Sequence, residues 1–275
     1  MAYAHRIAPG KKVRLAEIDP EANGGLDKEE GIARTKLLAE ELGELEDLLY
    51  FASVHGVLIV LQGMDTSGKD GAIRHMLGCM NVQSVSVAPF KVPTPEELAH
   101  DFLWRIHART PGKGELVIFN RSHYEDVLVV RVRELVPEAV WRGRYEHINA
   151  FERLLAESGT IVLKFFLHIS RDEQERRLLD REKDVEKSWK LNVGDWKERE
   201  RWDDYQAAYE EALERCSTDV APWHVVPANR KWFRDLAISQ AVVDALREHA
   251  PSWRERLARI GDKAKAELAT YRMGG

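Results

Sequence analysis

The chain has 275 residues, a length that suits one large α/β domain with excursions and can bury a substantial core. Hydrophobic residues are 44% and charged residues 32%, the balance of a globular chain rather than a fibrous or disordered one. Net charge is −5, which excludes a global basic field for recruiting polyanions, so any polyanion site has to be a local basic channel.

The two cysteines, Cys79 and Cys216, stand far apart without a CxxC or Cys/His pattern. That argues against a disulfide framework or a structural zinc site. The opening MAYAHRIAPGKK lacks the apolar core of a secretory signal, and no apolar stretch approaches the roughly 20 residues of a membrane span. The expectation is a soluble cytoplasmic protein with no nucleic-acid or membrane partner.

In chain order, residues 1–27 mix Pro, Gly and charge and read as an extended arm. A helix is predicted over 28–51, with Leu37, Leu38, Leu42, Leu45 and Leu49 on one side. VLIVLQ (57–62) reads as a buried strand, followed by a glycine loop and a helix over 69–79. VSVAPF reads as a short strand. Thr94 is a plausible N-cap before Pro95, opening a helix through Arg109.

ELVIFN (115–120) is the second strong strand. A long helical region follows, broken around Pro137 and reaching Ser158. TIVLKFFLHI (160–169) is a third buried strand. Residues 171–201 are densely charged and read either as a lid or as a solvated helical pair. A helix, the strand WHVVPA (223–228) and a helix over 230–248 follow. Pro251 opens an amphipathic tail helix over 249–275. Near-continuous apolar strands alternating with helices imply a parallel sheet covered on both faces, within a single domain over 1–275.

The chemistry starts at QGMDTSGKDG (62–71). Gly63, Gly68 and Lys69 fit the G-x4-G-K core of a phosphate-binding loop, with strand before and helix after. Backbone N–H groups from Gly63 through Thr66, Ser67 and Asp70 can converge on phosphate oxygens at the helix N-terminus. Lys69 can bridge the reacting phosphate. The motif normally continues with Ser or Thr, whose hydroxyl helps hold Mg²⁺. Here Asp70 takes that place, and Asp65 sits inside the loop. Two polyanions cannot meet without charge neutralisation, and Mg²⁺ takes oxygen ligands. Asp65 is the better carboxylate for it; Asp70 serves equally well as a helix cap.

The second strand runs into FNRSHYEDVLVVRV (119–132), which places Asn120 and Arg121 at the carboxyl edge of the sheet with Glu125 and Asp126 close behind. An Arg beside a carboxylate pair fits a phosphate and metal site. It also fits an ordinary loop with a helix-initiating acid pair. His123 reads as structural, because a phosphate acceptor is already an oxyanion and needs no base. Residues 171–201 supply Arg176, Arg177, Arg181, Lys183, Lys187 and Lys190, which would neutralise a transferring phosphoryl and help exclude water. Trp189 and Trp196 suit base stacking or packing, and Lys91 and His75 suit a phosphate channel.

Taken together, GMDTSGKDGAIRHML, FNRSHYEDVLVVRV, the run from FFLHISRDEQERRLLDREKDVEKSWK through RWDDY, and APWHVVPANRKWFRDL resemble polyphosphate kinase family 2 over residues 30–248. The resemblance implies a P-loop kinase, a three-layer α/β/α sandwich similar to thymidylate kinase with a helical lid. It implies transfer of the terminal phosphate of inorganic polyphosphate to AMP and ADP, giving ADP and ATP. Mg²⁺ would be the cofactor, with Mn²⁺ a possible substitute, and the chain would form a homo-oligomer. Asp65 and Lys69 match the loop acid and lysine. Asn120 and Arg121 match the phosphate-contacting pair, and Asp126 the metal-linked acid. Arg176, Arg177, Arg181 and Lys187 match basic lid positions. An ATP-dependent nucleoside monophosphate kinase and a non-catalytic phosphate sensor are the competing readings.

One form of the second motif reads close to FNRSWYNR, whereas FNRSHYED resembles the form that accepts both AMP and ADP. Glu125 is then expected to help place a metal or the acceptor. Glu125→Asn should change the ratio of the rates on AMP and on ADP; an unchanged ratio would remove Glu125 from acceptor choice.

Overall fold

The computed structural model describes residues 3–183 and 193–273. Its centre is a six-stranded sheet in the order β1 (His5–Arg6), β6 (Trp223–Pro227), β5 (Thr160–His168), β2 (Gly56–Gln62), β4 (Leu116–Asn120), β3 (Val85–Pro89). The arm supplies β1 (His5–Arg6), which pairs antiparallel with β6; all other pairings are parallel. The arm is extended but packed, with Tyr3, Ala4, Ile7, Val13 and Leu15 buried. Ser217 Oγ donates to the Ile7 carbonyl at 2.6 Å, and Arg34 donates to the Tyr3 hydroxyl at 2.6 Å. A two-residue strand on the sheet edge thus covers part of β6's unpaired backbone.

Helix α1 (Lys28–Ala52) starts on Asp27, whose carboxylate accepts from Glu30 N at 2.8 Å. Leu38, Leu42, Leu45 and Leu49 are buried at i, i+4, i+7 and i+11, while Leu37, one residue off that stripe, is exposed, against expectation. Strand β2 (Gly56–Gln62) is buried at every position and feeds the phosphate loop and α2 (Lys69–Leu77). Next comes β3 (Val85–Pro89).

The helix expected over 95–109 is two single turns, α3 (Pro95–Leu98) and α4 (Trp104–His107). Thr94 does cap the first, in a full capping box with Glu97. The Asp101 carboxylate accepts from Leu103 N at 3.0 Å, a local turn that competes with helix continuation.

Strand β4 (Leu116–Asn120) leads into a 3-10 turn, His123–Asp126, then α5 (Val129–Val132) and α6 (Glu138–Glu157). Strand β5 (Thr160–His168) runs into α7 (Arg171–Lys183). Then follow α8 (Val193–Glu200), α9 (Trp202–Cys216), β6 (Trp223–Pro227) and α10 (Lys231–Met273). Helices α1, α2 and α10 pack as one group and α5, α6 and α9 as another, which with the sheet makes three layers. Among the described residues, no helix is long and apolar enough to cross a membrane.

Pro251 does not open a separate helix; it lies inside α10. Proline removes one helical hydrogen bond and normally breaks a helix. Burial on both sides of it overrides that tendency. Trp253 is fully buried and donates from Nε1 to His55 Nδ1 at 2.9 Å, and Arg256 donates to the Ala52 carbonyl at 2.8 Å. Trp253→Ala should therefore destabilise the fold by about 3–5 kcal/mol, read by urea unfolding.

Candidate active site

In register, Leu61 pairs with Asn120 and Gln62 with Phe166, so the phosphate loop emerges between the ends of β4 and β5. Parallel sheets place ligands at this carboxyl edge. The loop requires its glycines. A Cβ on Gly63 would lie 2.7 Å from Ser67 Oγ and 2.8 Å from the Leu167 carbonyl. At Gly68, with φ +104°, it would lie 2.2 Å from Arg234. Thr66 and Arg121 also adopt positive φ, at 66° and 63°. Such conformations are strained for side-chain-bearing residues and concentrate at functional sites.

A cleft of about 580 Å³ opens over this loop. Its lining carries Lys69, Arg74, Lys91, Arg121, Arg177, Arg181, Lys231 and Arg234, against Asp65, Asp70 and Asp180. Among the described residues, eight cations face three carboxylates in a chain whose net charge is −5. This is the local basic channel required by the overall charge.

Lys69 is buried and turned back onto its own loop. Its Nζ donates to the carbonyls of Gly63 at 2.7 Å and Met64 at 3.1 Å. Burial, reinforced by the Arg121 cation, pushes its pKa down to about 8. Arg121 bridges two acids, reaching Asp65 Oδ1 at 2.6 Å and Glu125 Oε2 at 3.0 Å. Glu125 and Asp65 together hold it more firmly protonated. Asn120 Nδ2 donates to Asp70 Oδ1 at 2.9 Å, tying the end of β4 to the start of α2.

Arg177 is a brace as well as a cleft cation. It donates to the carbonyls of Thr66, Ser67, Ala228 and Asn229 at 2.7–3.0 Å and to Glu173 at 2.6 Å. Arg181 pairs with Asp195 at 3.1 Å, joining α7 to α8.

Other expected residues lie apart from the cleft. Asp126 pairs with Arg144 at 2.8 Å, and burial pushes its pKa up to about 6. Arg176 is exposed, pairs with Glu173 and Asp180, and lines a neighbouring hollow with His75. His123 is fully buried away from the cleft, in keeping with a structural reading. Trp196 donates to Glu182 at 3.0 Å rather than facing the cleft. Lys187, Trp189 and Lys190 lie outside the described residues.

Sequence reasoning missed Arg74, Lys231 and Arg234. The signal was available: Lys231 and Arg234 follow the strand WHVVPA, whose carboxyl end borders the same edge. Arg74 lies one turn beyond Asp70 on α2.

The model of the family "Polyphosphate kinase 2 (PPK2)" matches residues 25–254. The chain belongs to the polyphosphate kinase 2 family. It is 50% identical over 244 residues to an AMP/ADP-polyphosphate phosphotransferase of Meiothermus ruber, covering 88% of this chain and 91% of that one. It is 40% identical to an ADP-polyphosphate phosphotransferase of Rhodopseudomonas palustris, with 91% of each chain covered. The crystal structure of polyphosphate kinase 2 from Arthrobacter aurescens TC1 superposes with a TM-score of 0.83 at 42% identity, over 90% of this chain and 92% of that one. This polyphosphate kinase is therefore an enzyme with a P-loop kinase fold.

The low pKa of Lys69 sets a pH limit. The free enzyme loses this proton as pH rises through about 8, and a polyanion needs the charged form. kcat/KM should fall above pH 8. The limb in kcat should lie higher, because bound phosphate stabilises the ammonium. Lys69→Arg should abolish the limb whatever its residual rate; a pH–rate profile of both proteins checks this.

Proposed function

We propose that this polyphosphate kinase transfers the terminal phosphoryl group of inorganic polyphosphate to AMP and then to ADP, giving ADP and ATP. The observation that carries the reading is the cationic surplus around the phosphate loop. A bare phosphate chain as donor offers charge along its whole length and no base or sugar, so a channel of lysines and arginines suits it. The similarity to the AMP/ADP-polyphosphate phosphotransferase supports both acceptors.

Positioning and charge stabilisation do the catalytic work in such transfers. Lys69 lies at the loop ready to leave its carbonyl partners for a phosphate oxygen. Arg121 lies across the loop from it, and a phosphate oxygen drawing on Arg121 would release the Asp65 carboxylate. Gly63, Thr66, Ser67 and Gly68 shape the backbone that receives the phosphate. Asn120 orients Asp70 at the helix start.

Mg²⁺, with Mn²⁺ as a substitute, suits this donor set. Among the described residues no cluster of three or more metal-ligating side chains occurs. Mg²⁺ typically keeps several waters and needs only one or two carboxylates plus substrate phosphates. Asp65 is the residue best placed to hold it, with Asp70 beside it. Glu125 reaches the site through Arg121, and Asp126 only through the turn they share. The ion would supply charge neutralisation between donor and acceptor phosphates.

The chain reads as one domain over 1–275, with 171–201 as its lid and Arg177 and Arg181 as that segment's cleft cations. Ile260, Leu268 and Tyr271, exposed on α10, offer a contact for a second copy in a homo-oligomer.

The test is direct. Purified protein with Mg²⁺, polyphosphate and AMP, and no ATP, should yield ADP and then ATP, followed by chromatography. Turnover seen only with ATP plus AMP would overturn the reading in favour of an ATP-dependent nucleoside monophosphate kinase.

A further inference from the structure

Behind the turn that carries Arg121 and Glu125 lies a polar cluster that the cleft itself does not use. Lys164 on β5, Glu152 on α6, and His123 and Tyr124 of the 3-10 turn are all sealed from solvent. Lys164 Nζ donates to Glu152 Oε2 at 2.6 Å, to the Tyr124 hydroxyl at 2.9 Å and to the Cys216 carbonyl at 2.6 Å. The ammonium's three donors are all satisfied. The Tyr124 hydroxyl donates to Glu152 Oε1 at 2.8 Å, and His123 Nε2 lies 3.1 Å from the same oxygen. Burial alone would push the Glu152 carboxyl up, but Lys164 and His123 hold it below its ordinary value.

Stability does not account for such a cluster. Burying an ion pair forfeits several kcal/mol of hydration per ion, and an apolar replacement of similar volume is often neutral or stabilising. What the cluster does fix is one piece of backbone. Tyr124 lies between Arg121 and Glu125 in sequence and is anchored to β5, α6 and the end of α9. The same turn is pinned from β2, where Gln62 Nε2 donates to Ser122 Oγ at 3.1 Å, and Ser122 Oγ also accepts from Tyr124 N at 3.2 Å. Arg121 holds a strained positive φ, a conformation that persists only when its surroundings over-determine it.

We propose that Lys164, Glu152 and Tyr124 form a positioning device for phosphoryl transfer. They hold the 121–126 turn so that Arg121 keeps its place between Asp65 and Glu125. None of the three touches substrate; they act through Arg121. The inference rests on the phosphotransfer reading above.

Tyr124→Phe isolates the tether, because Lys164 and Glu152 still neutralise each other. The expected result is a folded protein whose kcat falls about 10- to 100-fold while KM for AMP and for polyphosphate moves less than about 3-fold. The loss should be non-additive with that of Glu125→Gln, since both act on Arg121. The triple variant Tyr124→Phe, Lys164→Met, Glu152→Met should still fold, because the ion pair is removed as a whole, and should lose the same kcat. Either of two kinetic results would overturn the proposal: kcat within about 2-fold of wild type in folded Tyr124→Phe, or losses that add to those of Glu125→Gln. The Arg121 guanidinium nitrogen resonances give a substrate-free readout, assigned with Arg121→Lys. They should be slowly exchanging in wild type and broadened in Tyr124→Phe, and unchanged resonances would also overturn the proposal. If the wild-type protein moved no phosphate from polyphosphate, the functional reading would fall, and these resonances would still decide the positioning role.

Discussion

Eight cations among the described residues share one cleft, and their mutual repulsion is the constraint that the rest of the site answers. Two unit charges 4 Å apart repel by about 4 kcal/mol at an effective dielectric near 20. Most of these cations are therefore tied to a specific acceptor. Arg121 lies between Asp65 and Glu125, Arg234 beside Asp235, and Arg181 beside Asp195. Arg177 and Lys69 instead take the loop's own carbonyls. The free site is held together by contacts that phosphate oxygens can replace.

The same constraint explains the two acids in the loop. Asp65 holds Arg121 at the loop through an ion pair. Asp70 accepts from Asn120 and so links the start of α2 to the end of β4. Their positions in the sequence suit metal binding or helix capping. Their partners in the folded chain give them a further role, which is to hold cationic and polar groups close to one another.

Much of the site was legible in the sequence because it is local. The glycine loop, Lys69 and Asp65 fall within seven residues, and Asn120 ends, with Arg121 following, a strand marked by its continuous apolar run. Arg176 and Arg177 illustrate where that fails. Adjacent in sequence and alike in charge, they project differently from α7: Arg177 is buried against the loop carbonyls and Arg176 is exposed among acids. Arg74, Lys231 and Arg234 were missed because their relation to the loop is set by how α2 and α10 pack. Asp126, adjacent to Glu125, is turned toward Arg144 instead.

The sequence by itself determined the alternation of strands and helices, the parallel character of the sheet and the phosphate loop at its carboxyl edge. Those features depend on apolar runs and glycines within a few residues of one another. Tertiary structure decided that α10 continues through Pro251, that Leu37 faces solvent and that α3 and α4 are separate turns. It also decided which of many like charges meet at the cleft. Helix propensity and charge are properties of a residue, whereas burial of Trp253 and the 2.6 Å approach of Arg121 to Asp65 depend on segments distant in the chain.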